Sequence, residues 1–480
     1  MQSGNKGLAL RQDAKWAEIA RNRPALWLTE KRGLLAVSFV FYGIFALAFF
    51  AIIIPPFQNP DELAHLARAF QISDGGMVGR RFIEPSSQSA GGNVDPEIFR
   101  AELPFSTIRF HTENHVSRVY LDNPIAWSGT TAPEAFPNTA NYPPQFYLPA
   151  ALAIRIGRAS GATIVQTVVL ARLMTGVVAI SIGALAVLWS GAAAPWVFAI
   201  LTLPMSLSLM SSYSVDALLI SGSALAVALY IKMLQAAVPE RSRHLLILAL
   251  LLGLLFMGRP PLGAASILLL LVPGVSIRMR VASFFASATL VLGWAAIVSA
   301  KTMTNFAADL GADPARQLAL IGHHPGLLIS LLLQTAAQDH LRIPVQFVGV
   351  LGWLDTVLPP WYYFLSHLGL LAAACATMCC ARDWTISPAG RALIACGLIG
   401  AVIAIYLIQY LSWTAVGAPT VQGVQGRYFL SIALIAALLL PGFGRRWYKV
   451  SDGLTVIVGI FPVVTLAVAM HAVVTRYYLQ

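Results

Sequence analysis

Charged side chains are scarce in this 480-residue sequence: Asp, Glu, Lys and Arg make up 11% of it, where soluble domains carry about a quarter. A chain so short of charge cannot clothe the two or three soluble domains its length would otherwise suggest. Cysteine is equally sparse. Cys375, Cys379, Cys380 and Cys396 all lie in apolar segments or at their edges, so neither a disulfide framework nor a zinc motif of two spaced pairs is available. No GxxxxGK[ST] phosphate loop and no GxSxG elbow occurs, so nucleotide-driven transport and serine hydrolysis lose their usual sequence support. Strands of alternating polarity, which a membrane barrel needs, are missing as well. What the chain has instead is 57% hydrophobic residues, gathered into runs long enough to cross a hydrocarbon core about 30 Å thick. A backbone in lipid must close its hydrogen bonds within helices. The sequence therefore predicts an all-α polytopic membrane protein embedded in a lipid bilayer. Its net charge of +11 becomes a matter of loop placement, not of nucleic acid binding.

Residues 1–32 carry Lys6, Arg11, Lys15, Arg21, Arg23, Lys31 and Arg32 against Asp13, Glu18 and Glu30. Such a basic flank is expected to stay in the cytoplasm. The apolar run 33–54 is expected to be the first permanent transmembrane helix, being longer than a signal-peptide core and lacking a small-residue cleavage site before Pro55 and Pro56. Residues 55–161 form the largest non-membrane region, an extracytoplasmic loop, and its stretch from Ser86 to Gly92 (SSQSAGG) is expected to be mobile. A transmembrane bundle over 162–300, a second outer loop over 301–358 and C-terminal helices over 359–480 follow. The apolar runs fall at 164–190, 192–210, 215–234, 244–257, 261–273, 281–300, 361–380, 392–411, 428–441 and 454–474. Counting crossings puts Lys232 with Arg241 and Arg243, Arg278 with Arg280, Arg382 with Arg391, and Arg445 with Arg446 and Lys449 on the cytoplasmic side, as the bias of basic loops demands. Eleven helices is the expected count, rising to thirteen if the segments around 143–160 and 325–345 also cross.

The sharpest local pattern is Asn59-Pro60-Asp61-Glu62-Leu63-Ala64-His65-Leu66-Ala67-Arg68-Ala69-Phe70. At about 100° per residue, Asp61, Glu62, His65 and Arg68 share one face, and Leu63, Leu66, Ala67 and Phe70 the other. An amphipathic helix on the outer leaflet is expected. Asn as N-cap, Pro at the first position and acids in the first turn also make an ordinary helix start. Capping accounts for one acid, but not for two acids with His65 and Arg68 on the same face, so these four are candidate functional residues.

Arg172 lies eight residues into a span, where an ionised group needs a partner and usually faces a bundle interior or a wet cavity. Asp216, after Ser211-Ser212-Tyr213-Ser214, opens an apolar helix as either a capping or a functional acid. Arg259, Lys301 and Arg427 fall on the outer face, against the usual bias. Snorkelling toward headgroups accounts for Lys301. Arg427 stands in Gln422-Gly423-Val424-Gln425-Gly426-Arg427-Tyr428, where glycines would allow close backbone approach to an anion that arginine can hold through two nitrogens. A phosphate site is the expectation. His111, His115, His323 and His324 have no carboxylate or thiolate partner in view and read as solvated loop histidines, so no metal site is expected.

Several stretches together resemble a bacterial membrane family known as domain of unknown function 2142. They are Pro55-Pro56-Phe57-Gln58-Asn59-Pro60-Asp61-Glu62 with His65 and Arg68, Asn141-Tyr142-Pro143-Pro144 with Tyr147-Leu148-Pro149, Ser214-Val215-Asp216, the segment 349–358 with its Gly352-Trp353-Leu354-Asp355 core, and Gln425-Gly426-Arg427-Tyr428-Phe429. The layout is similar to that of the GT-C superfamily of membrane glycosyltransferases, which transfer sugars from polyprenyl-phosphate carriers on the extracytoplasmic side. In that superfamily an acidic pair commonly follows the first helix, a Pro-Pro-aromatic stretch ends the first outer loop, and another acid opens a later helix. Asp61-Glu62, Pro143-Pro144-Gln145-Phe146-Tyr147 and Asp216 occupy those places.

The resemblance implies a bacterial cytoplasmic-membrane enzyme with its N-terminus inside. Asp61 and Glu62 would be catalytic, and His65, Arg68, Tyr142 and Asp216 would support or bind the acceptor. Gln425-Gly426-Arg427-Tyr428 departs from the general GT-C pattern and belongs to the narrower family, so holding of the donor phosphate by Arg427, Arg259 and Arg172 is inferred from these cations themselves and not from the superfamily. The implied partners are a polyprenyl-phosphate-linked sugar and an envelope glycan, lipid or protein acceptor. No cofactor is implied, and a divalent cation is left open. A rival reading is a transporter or flippase of a lipid-linked or anionic saccharide, using the same cations without chemistry. Transporters usually bind near mid-membrane and often have two related halves, whereas these candidates gather toward one face and no internal repeat is visible. A third reading is an assembly or polymerase subunit without donor chemistry of its own.

Overall fold

Eight helices among the described residues are long and apolar enough to cross a membrane: Arg32–Ile53, Ile164–Trp189, Val215–Gln235, Val238–Gly258, Ile277–Lys301, Pro360–Cys379, Pro388–Ser412 and Lys449–Tyr478. The computed structural model describes residues 32–83, 88–117, 122–305, 307–380, 386–443 and 447–479. The basic residues from Lys6 to Lys31, Ser86 and Ser87 of the expected mobile stretch, and Arg382, Arg445 and Arg446 of the basic loops lie outside the described residues.

All eight helices coincide with apolar runs of the sequence. Two helix pairs, Gly191–Leu201 with Pro204–Met210 and Pro314–His323 with Leu327–Asp339, are bent by 80° and 112°. Pro204 and Pro314 each open the helix they head, as a residue without an N–H and with fixed φ does. With each pair taken as one span the count is ten. The shorter segments Pro260–Leu271 and Gly426–Leu439 would raise it to twelve, and thirteen would need the 13-residue helix Leu148–Ser160 as well, so the chain is a membrane protein with eight to ten candidate spans. The first of these shorter segments is a 3-10 helix of 12 residues. Its rise of about 2.0 Å per residue gives it a reach of about 24 Å, where an α-helix of the same length would reach about 18 Å.

Large apolar side chains such as Leu34, Phe41, Phe285, Leu292 and Ile399 are exposed. Around a soluble domain this would be an aggregation surface, and around apolar spans it is the lipid-facing belt. Val215–Gln235 is the enclosed span: 83% of its most apolar window is buried, against 22% for Ile277–Lys301 and for Pro388–Ser412. Small residues let its neighbours come close, since a side chain at Gly222 would strike Leu255 of Val238–Gly258. Asp216 stands at the end of this central helix.

Between the first two long spans lies a small antiparallel sheet, in the order Arg80–Ile83, Gln88–Val94, Ala132–Ala135. The described part of the stretch expected to be mobile is its central strand. The sequence hides that strand because Gly91 and Gly92 break any alternation, and Gly91 is needed where the Glu134 carbonyl oxygen leaves no room for a Cβ.

The helix Glu62–Ser73 does not lie on a membrane surface with one face outward. His65 to Ser73 are buried without a break. The polar face is enclosed because it finds polar partners there. Arg68, with no exposure, donates to Gln71 Oε1 and to the carbonyls of Met77 at 2.8 Å and Tyr142 at 3.0 Å, stapling the following turn.

The Gly352-Trp353-Leu354-Asp355 core is a clasp. Gly352 and Leu354 both take positive φ, 59° and 62°, in a tight turn that presents Trp353 Nε1 to the Phe57 carbonyl at 2.9 Å. Asp355 accepts from Arg476 at 2.8 Å, and Arg476 also donates to the carbonyls of Ile108 and Asn114. The end of the last helix is thereby fixed to the loop that follows the first.

Candidate functional site

The start of the helix Glu62–Ser73, the turn 137–142, the clasp at 353–354 and the segment 409–428 meet around a cavity of about 600 Å³. Asp61 is at its edge. It occupies the N-cap position of Glu62–Ser73 with left-handed backbone (φ 58°, ψ 18°), yet its side chain makes no capping hydrogen bond. Asn59, the expected N-cap, does not cap either. Its side-chain amide donates to Glu62 Oε1 at 3.0 Å and its backbone N–H to Oε2 at 3.3 Å, so Glu62 closes the helix start in its place. Asp tolerates the left-handed region better than most residues, and Asp61 is left free of capping duty. Its Oδ1 accepts from Asn138 Nδ2 at 3.0 Å, and Oδ2 stands 3.6 Å from Arg427, with 39% of the side chain exposed.

Arg427 is delivered by a turn packed against Arg342–Gly349. A Cβ at Gly426 would collide with the backbone of Ile343, Gln346 and Phe347, and the Gly426 N–H donates to Gln346 Oε1 at 3.1 Å. Gly423, at φ +77°, gives way to the Trp413 indole. The close approach that the glycines were expected to offer an anion is therefore taken by the protein itself, while Arg427 lines the cavity together with Gly423, Gln425 and Tyr428. Arg427 as a whole is 6% exposed. Its Nε has no hydrogen-bond partner among the described residues, and its two Nη atoms stand 3.4 Å from Asp216 and 3.6 Å from Asp61. A buried arginine normally satisfies all five N–H groups.

Behind it, Asp216 accepts from Arg259 Nη2 at 2.8 Å, and Arg259 lies 4.5 Å over the Tyr428 ring. Asp61, Arg427, Asp216 and Arg259 thus form a row of alternating sign whose charges sum to zero. Each carboxylate holds a guanidinium in place. The last of them to face the cavity is the one short of hydrogen bonds.

His65 is buried beside this row, with Nδ1 2.7 Å from the Tyr147 hydroxyl and its ring stacked on Tyr142. Burial lowers its pKa from 6.5 to about 4, against the opposing pull of Asp61 and Asp216, so the ring is neutral at neutral pH. Burial likewise pushes the Tyr142 hydroxyl up to about 12, which keeps it a hydrogen-bond donor. A depressed histidine pKa means that the unfolded chain takes up a proton first as pH falls. The stability due to neutral His65 is full above pH 6.5 and is lost as pH falls toward about 4. Melting of the wild type is expected to fall further between pH 7.5 and 5 than melting of His65→Asn. Equal losses would show that His65 is not the group responsible.

Arg172 and Glu62 meet as a closed pair. Arg172 Nε donates to Glu62 Oε1 at 2.7 Å and Nη2 to Oε2 at 2.6 Å, and its remaining N–H groups bond the carbonyls of Ala51, Ile54 and Pro55. Five donors have five acceptors, and the two Asn59 bonds complete the carboxylate. Both side chains are buried, and neither borders the cavity.

Of the candidates, then, Asp61, His65, Tyr142, Asp216, Arg259 and Arg427 come together, while Glu62, Arg172 and Arg68 brace the chain beside them. Asn138, Tyr147, Trp353, Trp413 and Gln425 were not singled out for the site by sequence. Tyr147, Trp353 and Gln425 lay inside the stretches that carry the family resemblance, and Asn138 and Trp413 gave no signal. Among the described residues no group of three or more His, Cys, Asp or Glu side chains converges to hold a metal ion.

No curated protein and no solved structure matches the chain. Residues 44–436, more than half of its length, match the model of a family described as a predicted membrane protein, DUF2142, and the chain belongs to that family.

Proposed function

We propose that this membrane protein is a GT-C-like glycosyltransferase that moves a sugar from a polyprenyl-phosphate carrier to a cell-envelope acceptor on the outer face of the bacterial cytoplasmic membrane. The observation that carries the reading is Arg427, a buried guanidinium short of hydrogen bonds and facing a cavity that also holds the carboxylate of Asp61. Such a group suits a phosphate, two of whose oxygens can accept parallel N–H bonds.

Asp61 accepts the proton of the acceptor hydroxyl as that oxygen attacks the anomeric carbon. The bond from that carbon to the phosphate oxygen breaks, and the carrier leaves as polyprenyl phosphate. The phosphate passes from one negative charge toward two, so Arg427 binds it more tightly as the bond breaks, which is the condition for lowering the barrier. Asp216 and Arg259 keep Arg427 in position. Direct displacement inverts the anomeric centre. Glu62 and Arg172 act through the backbone that presents Asp61, not on the substrate.

With residues 1–32 in the cytoplasm, alternate crossings by eleven helices put Asp61, Tyr142, Asp216, Arg259 and Arg427 on the outer side. Their meeting in one cluster beside the cavity supports a common side for all five, because the bent pair within 191–210 and the stretched segment Pro260–Leu271 must then carry the chain across and back. The placement of the ionised lining groups at one end also favours an enzyme over a transporter, whose site usually lies near mid-depth.

Arg427→Lys keeps the charge and loses the planar fork, and is expected to weaken binding of polyprenyl phosphate. Arg427→Ala is expected to weaken it by about 10- to 100-fold, the worth of a hydrogen bond to a charged group. Folding should survive because Asp216 keeps Arg259. Unchanged affinity in Arg427→Ala, measured on purified folded protein, would remove the phosphate site.

A further inference from the structure

Beyond the phosphate end, the cavity is lined by groups that carry no charge. Among its described lining residues only Asp61 and Arg427 are ionised at neutral pH, His65 being neutral there. Two cations stack on lining rings, Arg109 over Trp353 at 4.9 Å and Arg259 over Tyr428 at 4.5 Å. Each already has a carboxylate, Glu102 at 4.0 Å and Asp216 at 2.8 Å.

The cavity lining also includes the amides of Gln409 and Gln425, the hydroxyl of Ser412 and the indoles of Trp353 and Trp413. Gln425 Oε1 is buried without a hydrogen-bond partner. Trp413 packs against Gly423, where any side chain would displace it. Amides and hydroxyls both donate and accept, which matches the hydroxyls of a sugar, and indole faces cover apolar C–H surface while leaving the ring edge polar.

We propose that the group carried on the lipid phosphate is an uncharged pentose or hexose, bound between Trp413 and the Gln409 and Gln425 amides. This inference rests on the transferase reading. A uronic acid would find no cation but Arg427, which the phosphate occupies. An amino sugar would find no anion but Asp61, and pairing with it would block the base. Either charge would sit without a partner in a cavity lined partly by apolar groups such as Phe110, Leu310 and Leu354, which is costly for an ion.

The experiment measures binding of a set of lipids to the purified full-length protein in one detergent. The set is undecaprenyl phosphate alone, and the same lipid phosphate carrying glucose, galactose, mannose, arabinose, glucuronic acid or 4-amino-arabinose. The best neutral-sugar lipid is expected to bind at least about tenfold more tightly than either charged one, the effect of one good polar contact. Gln425→Leu and Gln409→Leu should each reduce that preference while leaving binding of undecaprenyl phosphate unchanged. A charged-sugar lipid binding as tightly as the best neutral one would overturn the inference and leave the transferase reading standing, and a preference that survives both substitutions would overturn the placement of the sugar. If undecaprenyl phosphate itself fails to bind, the transferase reading falls and takes the inference with it.

Discussion

Asp61→Asn is expected to lower sugar transfer by about 10²- to 10⁴-fold, the usual worth of a positioned general base, while donor binding and folding persist. An amide cannot take up the acceptor proton. Little else should change, because asparagine also tolerates positive φ and the Asp61 side chain makes no capping bond that the exchange would break. Its ion pair with Arg427 is long, at 3.6 Å, and partly exposed, so its loss should cost little stability. Transfer at the parental rate would show that Asp61 is not the base. Loss of donor binding together with transfer would show instead that it organises Arg427.

The second large effect falls on stability. Arg172→Met is expected to destabilise the protein by about 3–5 kcal/mol, the cost of stranding one partner of a buried ion pair. It strands Glu62 and also frees the carbonyls of Ala51, Ile54 and Pro55 at the end of the first helix. Glu62→Gln should cost less, because Asn59 and part of the Arg172 contact can remain. Glu62→Leu combined with Arg172→Met should be less damaging than the sum of the two single changes, since neither charge is then left alone. Thermal melting in detergent compares the wild type, the single variants Arg172→Met, Glu62→Gln and Glu62→Leu, and the double variant. Wild-type melting of Arg172→Met would mean that the pair does not hold the turn presenting Asp61.

The apolar spans were legible because a long hydrophobic run has few alternatives to a helix in lipid. Pro260–Leu271 was legible as apolar but not as a 3-10 helix, since stretching a short run depends on what it must reach. The Asp61 pattern was legible as a cluster and misread as a surface. Helical periodicity separates two faces, but it cannot tell water from a buried polar partner such as the Tyr142 carbonyl that receives Arg68. The pairing of Glu62 with Arg172 joins residues 110 positions apart, and no local pattern encodes it. Arg427 was found because the expected topology puts it on the outer side, where an arginine would be out of place. Its flanking glycines were assigned to a ligand, although Gly426 serves packing against Gln346 and Phe347. Asn138 and Trp413 stand in unremarkable sequence and reach the site only through the fold.

The most direct measurement incubates the purified protein, reconstituted in vesicles, with polyprenyl-phosphoryl sugars and follows both release of polyprenyl phosphate and the fate of the sugar. The account predicts that at least one neutral-sugar donor is cleaved at its bond from sugar to phosphate, with the sugar passed to an acceptor hydroxyl or to water, and that Asp61→Asn stops this while still binding the donor. A donor that binds with dependence on Arg427 and crosses the bilayer with its sugar still attached would contradict it.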